Sequence, residues 1–186
     1  YKVVLVLAQL LGYASSKFIG IKVISELTAA HRPWMIIALV LFAELALLGF
    51  ALVPPPYNFV LLFFNGLPLG MIWGLVFSYL EGRRTTELLA AILSARFILA
   101  SGVTKAIGKF IMLEFAVSQY WMPFLTGALF LVPLFFSVWW LNQVALPTAE
   151  DIRARHVREP MTSADRRRLL YGTWPGLLAI VVMYFF

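Results

Sequence analysis

Five uninterrupted apolar runs, each long enough to cross a bilayer as a helix, alternate with short polar segments along the chain. The pattern predicts transmembrane helices over residues 2–24, 34–53, 57–80, 88–112 and 120–141. A helical span needs about 20 predominantly apolar residues, whereas a transmembrane β-barrel shows alternating segments of about ten. The predicted fold class is therefore all-α, a polytopic helical membrane protein.

A long polar stretch, residues 144–168, follows the fifth predicted span. Within it, Thr148 with Asp151 and Thr162 with Asp165 are spaced as N-terminal capping boxes, which predicts two short surface helices. We interpret the stretch as a basic cytoplasmic linker against the inner leaflet. A calmodulin-type or nucleic-acid-binding segment is the less favoured alternative.

Positive charge is distributed unevenly between alternate loops. Ten of the fifteen basic residues lie on one side: Lys22, Arg32, Arg83, Arg84, Arg153, Arg155, Arg158, Arg166, Arg167 and Arg168. The positive-inside rule makes that side cytoplasmic in a multi-pass membrane protein. We expect this membrane to be a bacterial inner (plasma) membrane. The formal net charge of +6 then follows from topology, so no nucleic-acid partner is expected.

A sixth apolar run begins near Leu169 and holds about 17 residues, slightly fewer than a full crossing needs. The chain also starts almost directly inside an apolar run, without an initiator Met. We therefore expect residues 1–186 to be a piece of a longer membrane protein, with residues 169–186 opening a further span.

Composition argues against several other kinds of site. The 186 residues are 62% hydrophobic and 13% charged, with no cysteine, which excludes disulfides, iron–sulfur clusters and thiolate chemistry. Neither of the two histidines, His31 and His156, lies mid-span, so neither a metal nor another cofactor is expected. Without paired intramembrane aspartates, a G-x-S-x-G elbow or an H-E-x-x-H motif, we do not expect an enzyme.

Small residues recur at every fourth position in two of the spans. These stripes are Gly12, Ser16 and Gly20 in the first span, and Gly66, Gly70 and Gly74 in the third. Residues at this spacing share one helix face, and small side chains there let another helix's backbone approach closely. We predict that both stripes are helix-packing faces.

Four charged side chains lie deep within the apolar runs, namely Lys17, Glu44, Arg96 and Lys105. Glu44 and Arg96 lie at a similar depth, each about ten residues or roughly 15 Å from the cytoplasmic start of its span. We predict an intramembrane ion pair between them, with a structural role. The four side chains together carry a positive net charge, which an anion could offset.

The two lysines are the candidate substrate-binding cations. Lys17 continues a polar line with Gln9 and Tyr13 in the first span, and Lys105 lies on the more polar face of the fourth. The alternative for each is that it snorkels to the nearer interface. We predict that Lys17, Tyr13, Lys105 and Asn65 line an electropositive cavity for a small anionic solute, a phosphorylated one being a candidate, with a proton or counter-anion as coupling partner.

Several motifs resemble a transporter superfamily. Gly12-Tyr13, Ser16-Lys17-Phe18, Gly20, Ser25-Glu26 and Arg32-Pro33 resemble the second span and following loop of the organophosphate/phosphate antiporter branch of the major facilitator superfamily. Asn65-Gly66, Gly70-Met71 and Trp73 resemble the fourth span of that branch. The runs SKFIGIKVISE and NGLPLGMIWGLVFSYLEGRR are similar to those of an uncharacterised bacterial family within the superfamily.

This resemblance covers the whole chain and implies the N-terminal bundle of such a transporter without its first span. It implies alternating access about a midplane site. In the cytoplasmic loops it draws attention to Glu26, Arg32, Glu81, Arg83 and Arg84. The superfamily's loop Asp is replaced here by Ile24, with Glu26 as the nearest acid. The expected function is a secondary active transporter, and the alternative is a non-transporting receptor or assembly protein on the same scaffold.

Overall fold

The computed structural model describes residues 1–80, 85–144, 148, 150–151 and 162–185, and this part of the chain is helical without a β-strand. Its helices are α1 (Lys2–Glu26), a 3-10 turn (Ala29–His31), α2 (Arg32–Leu52), α3 (Phe59–Phe77), α4 (Thr86–Glu114), α5 (Met122–Leu141) and α6 (Ser163–Phe185). Helices α1 to α5 are each long and apolar enough to cross a membrane. The predicted fold class, a polytopic helical membrane protein, is confirmed.

Local sequence explains where several helices begin. Pro33 lies in the first turn of α2, where its missing N–H costs no hydrogen bond. The loop Pro54–Pro56 separates α2 from α3, and the Pro55–Pro56 peptide bond is cis. Helix α6 begins at Ser163, six residues before the predicted start at Leu169, because a capping box immediately precedes it.

Both predicted capping boxes are formed, but the second begins the long helix α6 rather than the predicted short surface helix. The Thr162 N–H donates to Asp165 Oδ2 over 3.1 Å, and the Asp165 N–H donates to Thr162 Oγ1 over 3.3 Å. Thr148 and Asp151 exchange the equivalent bonds at 2.9 and 3.2 Å. Residues 145–147, 149 and 152–161 of the predicted linker lie outside the described residues.

The tightest packing in the bundle joins α1 to α3 along their small-residue stripes. A Cβ on Gly12 would overlap the carbonyl oxygen of Phe63, and one on Gly66 would overlap that of Gln9. A Cβ on Gly70 would lie 2.8 Å from the Tyr13 carbonyl oxygen and would collide with Ser16. Gly20 and Gly74 continue this contact towards Met71 and Ile24. The backbones of the two helices therefore touch where the stripes meet, as close membrane packing requires.

Helix α2 packs between α3 and α5 around a core of Ile36, Leu75 and Val138. Helix α4 packs mainly against α5 and is otherwise largely exposed.

Helices α1, α3 and α5 begin at one end of the bundle, which we call the proline-loop end after Pro54–Pro56. The opposite end, where α2 begins at Arg32, is called the basic end.

Candidate functional site

A cavity of about 760 Å³ opens between the helices in the half of the bundle nearer the proline-loop end. We call it the lysine cavity. Its polar wall comprises Gln9, Asn65, Thr104, Lys105, Lys109 and Thr126, contributed by α1, α3, α4 and α5. The rest of the wall is apolar, and none of the described Asp or Glu residues lines it. Its size is typical of a small-molecule site, which is commonly an apolar pocket with a few polar groups.

Asn65 is the central polar residue of this region and is 4% exposed. Its Oδ1 accepts a 2.8 Å hydrogen bond from Gln9 Nε2, and its Nδ2 donates over 3.0 Å to the carbonyl oxygen of Ala43. The bonds join α1, α2 and α3. They also fix the amide orientation, because only one way round satisfies both partners.

Thr126 forms part of the α5 wall of the lysine cavity and is 4% exposed. Its Oγ1 is buried and has no hydrogen-bond partner. Most buried polar atoms in proteins are hydrogen-bonded, so an unpartnered hydroxyl at a cavity wall indicates a place where water or a solute can bind. Lys105 and Lys109 lie one helical turn apart on the α4 side of the same cavity.

Lys17 lies in a different place from Lys105. It lines a second cavity of about 400 Å³ nearer the basic end, which we call the basic-end cavity. Its Nζ lies 4.6 Å from the centre of the Tyr13 ring, as in a cation–π contact. The prediction that Lys17, Tyr13, Asn65 and Lys105 line one cavity is therefore corrected: Asn65 and Lys105 share a cavity and Lys17 does not. The closely packed α1–α3 contact lies between the two groups.

The predicted ion pair between Glu44 and Arg96 is not formed. Glu44 is buried against α5, where its carboxylate fills the space beside Gly127, and its Oε1 has no partner. Arg96 is exposed on α4. Similar depth suggested a pair, but α2 packs on α3 and α5 whereas α4 packs mainly on α5, so the two side chains face different surroundings.

Polar contacts at the basic end join segments that are distant in sequence. Arg32 Nη1 donates over 3.0 Å to the carbonyl oxygen of Ser78, which joins the start of α2 to the end of α3. Arg166 forms a 2.8 Å ion pair with Glu26 and donates over 2.7 Å to Ser25 Oγ, which joins α6 to α1. The other three predicted loop residues, Glu81, Arg83 and Arg84, lie outside the described part of the chain.

Comparison with known families gives one match. The whole chain, residues 1–186, matches the family described as a family of unknown function, DUF5690. The chain belongs to the DUF5690 family. No curated protein and no solved structure matches the chain.

This DUF5690 chain has several site residues that sequence reasoning passed over. Lys109, Thr104 and Thr126 line the lysine cavity, and Gly127 makes room for Glu44. A signal for Lys109 was present, because it shares the polar face of α4 with Lys105. Thr126 is polar and Gly127 is small, whereas most of helix α5 is bulky and apolar. Nothing in the sequence indicates which neighbouring helix these two residues contact.

In the described residues of this DUF5690 chain, no group of three or more His, Cys, Asp or Glu side chains could hold a metal ion. The chemistry available at the lysine cavity is therefore that of ammonium, amide and hydroxyl groups. These groups bind anions and polar solutes through charge and hydrogen bonds.

Proposed function

We propose that this DUF5690 chain is part of a secondary active transporter of a bacterial inner membrane that carries a small anionic solute by alternating access. A phosphorylated solute is the first candidate. The observation that carries the proposal is the lysine cavity, in which the described residues contribute two cations and no acid to a solute-sized space among helices long and apolar enough to span a membrane.

Charge supports an anion over a neutral or cationic solute. Lys105 and Lys109 bring two positive charges to a wall to which the described residues contribute no carboxylate. Charged groups within a membrane bundle are costly unless they are paired, and a bound anion would supply the pairing. Lysine is a common phosphate-binding residue, and a charge-assisted hydrogen bond is roughly twice as strong as a neutral one.

Further hydrogen-bond donors lie beside the lysines. Each of the Gln9 and Asn65 amide nitrogens carries two N–H groups, and the structure uses one of each in the network. The Thr126 hydroxyl has no partner. A phosphoryl or carboxylate group entering the lysine cavity could therefore accept hydrogen bonds without breaking those that hold the helices together.

The position of the two cavities supports access from both sides. Gln9, Asn65 and Lys105 lie about 9 to 14 Å along their helices from the proline-loop end, whereas the basic-end cavity reaches Arg166 and Leu169. The close α1–α3 contact lies between them. The resemblance to the major facilitator superfamily supports the same mechanism, in which helical bundles rock about a central site.

Uptake by the full-length protein in proteoliposomes tests the proposal. The solutes are inorganic phosphate and glycerol 3-phosphate, with glycerol as the uncharged control. Lys105→Gln should raise the KM for a transported anion by about ten- to a hundredfold, the equivalent of losing a charged hydrogen bond. The matched control is Lys22→Gln, an exposed lysine that does not line the lysine cavity.

Two results would count against the proposal. An unchanged KM for every transported anion in Lys105→Gln would remove Lys105 from the site. Absence of solute-dependent flux by the wild-type protein for both anions would instead favour a receptor or assembly role on a transporter scaffold.

A further inference from the structure

Glu44 is a buried acid that the proposed anion site does not use. It is the sole acidic residue of α2, is 9% exposed, and its Oε1 has no hydrogen-bond partner. The carboxylate lines a cavity of about 260 Å³ between α2, α3 and α5, which we call the glutamate cavity. Space for water or a proton path therefore exists beside an oxygen atom that has no partner.

In the described part of the chain, the helices that pack against α2 bring no charged side chain to this carboxylate. Helices α3 and α5, which pack against α2, contain no ionisable side chain between Phe59 and Phe77 or between Met122 and Leu141. On α2 the next charged residue is Arg32, twelve positions away and bonded to Ser78. His31, in the 3-10 turn that packs on α2, lies at that same distant end. On α4, Arg96 is exposed, and Lys105 and Lys109 belong to the lysine cavity.

An uncompensated carboxylate in a low-dielectric interior is strongly disfavoured relative to the neutral acid. Acids at such positions in membrane bundles commonly belong to ion or proton pathways. The backbone of Ala128 on α5 also lies beside the Glu44 carboxylate. A single neutral donor offsets little of the cost of burying a charge, so the environment favours uptake of a proton.

The glutamate cavity and the lysine cavity are neighbours. They share four wall residues, namely Leu47, Asn65, Gly127 and Phe130. Across this shared wall, the charges of Lys105 and Lys109 favour an ionised Glu44. A negative solute in the lysine cavity would offset those charges and repel an ionised Glu44, and a neutral Glu44 would remove that repulsion. Binding free energies are reciprocal, so the anion favours protonation of Glu44 and protonation favours the anion.

We infer that Glu44 is the proton-binding group that couples anion movement to a proton gradient. The carboxylate takes a proton from water on one side to become a neutral carboxylic acid, and it releases the same proton on the other side. The proton and the anion move in the same direction, because each stabilises binding of the other. This inference rests on the proposed transport function, and its tests separate the two.

The first test needs no transport. Infrared difference spectra of the purified full-length protein, recorded across a pH series, should contain a carboxylic acid C=O band that disappears in Glu44→Gln. The exposed acid Glu114 gives the matched control, because Glu114→Gln should retain the band. Addition of inorganic phosphate should increase the protonated fraction at a given pH. A spectrum that is the same in Glu44→Gln and in the wild-type protein would overturn the inference.

The second test compares two transport modes in proteoliposomes with inorganic phosphate as solute. Glu44→Gln should keep phosphate exchange and lose accumulation driven by a pH gradient, and Glu44→Asp should recover part of that accumulation. Size-exclusion chromatography of each variant verifies folding. Gradient-driven accumulation at the wild-type level in Glu44→Gln would overturn the inference and leave the transport proposal standing. If the wild-type protein neither exchanges nor accumulates phosphate, the transport proposal fails for that anion, and the infrared band alone decides whether Glu44 binds a proton.

Discussion

The carboxylate of Glu44 on α2 fills the space beside Gly127 on α5, where a Cβ would lie 2.8 Å from Glu44 Cδ. Any larger residue at position 127 would have to displace the carboxylate or separate the helices. The glycine therefore determines how closely α2 and α5 approach around a buried acid.

Gly127→Ala should destabilise the bundle. Overpacking a closely fitted site costs about 1–3 kcal/mol, which outweighs the gain of up to about 1 kcal/mol from alanine's higher helix propensity. Thermal unfolding in detergent, followed by tryptophan fluorescence, measures the effect. The control is Gly102→Ala on α4, where nothing lies within 4 Å of the added Cβ and the melting temperature should hold or rise. Equal melting temperatures for the two variants would contradict the packing described here.

Replacing Asn65 should be costly because two partners lose their hydrogen bonds at once. Asn65→Leu removes the hydrogen-bond partner of the Ala43 carbonyl oxygen and of Gln9 Nε2. The free energy of unfolding should fall by about 1–3 kcal/mol for each group left buried and unsatisfied. A double-mutant cycle with Gln9→Leu should give a coupling energy of about 0.5–3 kcal/mol, since the two residues are in contact. Simple additivity of the two single changes would mean that the Gln9–Asn65 bond does not contribute to stability.

Arg166 should hold the start of α6 against the end of α1. Its side chain is 13% exposed and its guanidinium contacts both Glu26 and Ser25, so Arg166→Gln removes an ion pair and weakens a partly buried hydrogen bond. Hydrogen–deuterium exchange of the full-length protein should become faster in residues 163–170 and near Glu26. Arg167→Gln, at a neighbouring exposed position, should leave both regions unchanged. Exchange that responds equally to the two substitutions would exclude a specific role for Arg166.

The pKa of Asp165 is lowered from the ordinary aspartate value, first by the hydrogen bond from the Thr162 hydroxyl and then by the bond from its backbone N–H. A lowered pKa in the folded state means that this cap stabilises the start of α6 above the ordinary pKa. The contribution is lost as pH falls through the lowered value. Thr162→Val should move the pKa of Asp165 back towards the ordinary value, as a carboxyl carbon NMR titration would show. An unchanged titration would mean that the hydroxyl bond does not hold in solution.

The sequence predicted those features that depend on local spacing. Apolar run lengths predicted the five long helices, and Thr-x-x-Asp spacing predicted the capping box at Thr162, although not the long helix that it begins, because both are local signals. It was harder to predict which helices and side chains lie next to one another. Lys17 and Lys105 were both deep and cationic, but the chain alone does not reveal that the close α1–α3 contact lies between them. The predicted pairing of Glu44 with Arg96 was wrong for the same reason. Position in the sequence indicates how deep a residue lies in the membrane, but it does not indicate which helices are neighbours.

Polar solutes should reach the lysine cavity and bind there, and cysteine accessibility tests this most directly. Residues 1–186 contain no cysteine, so each single cysteine substitution introduces one labelling site in this region. Thr104 and Ile98 both lie on α4 and are both exposed, but Thr104 lines the lysine cavity and Ile98 does not. With a hydrophilic thiol reagent, Thr104→Cys should react quickly and inorganic phosphate should slow it, whereas Ile98→Cys should stay unreactive in the bilayer. Equal labelling of the two positions, or labelling of Thr104→Cys that phosphate and glycerol 3-phosphate leave unchanged, would contradict the account.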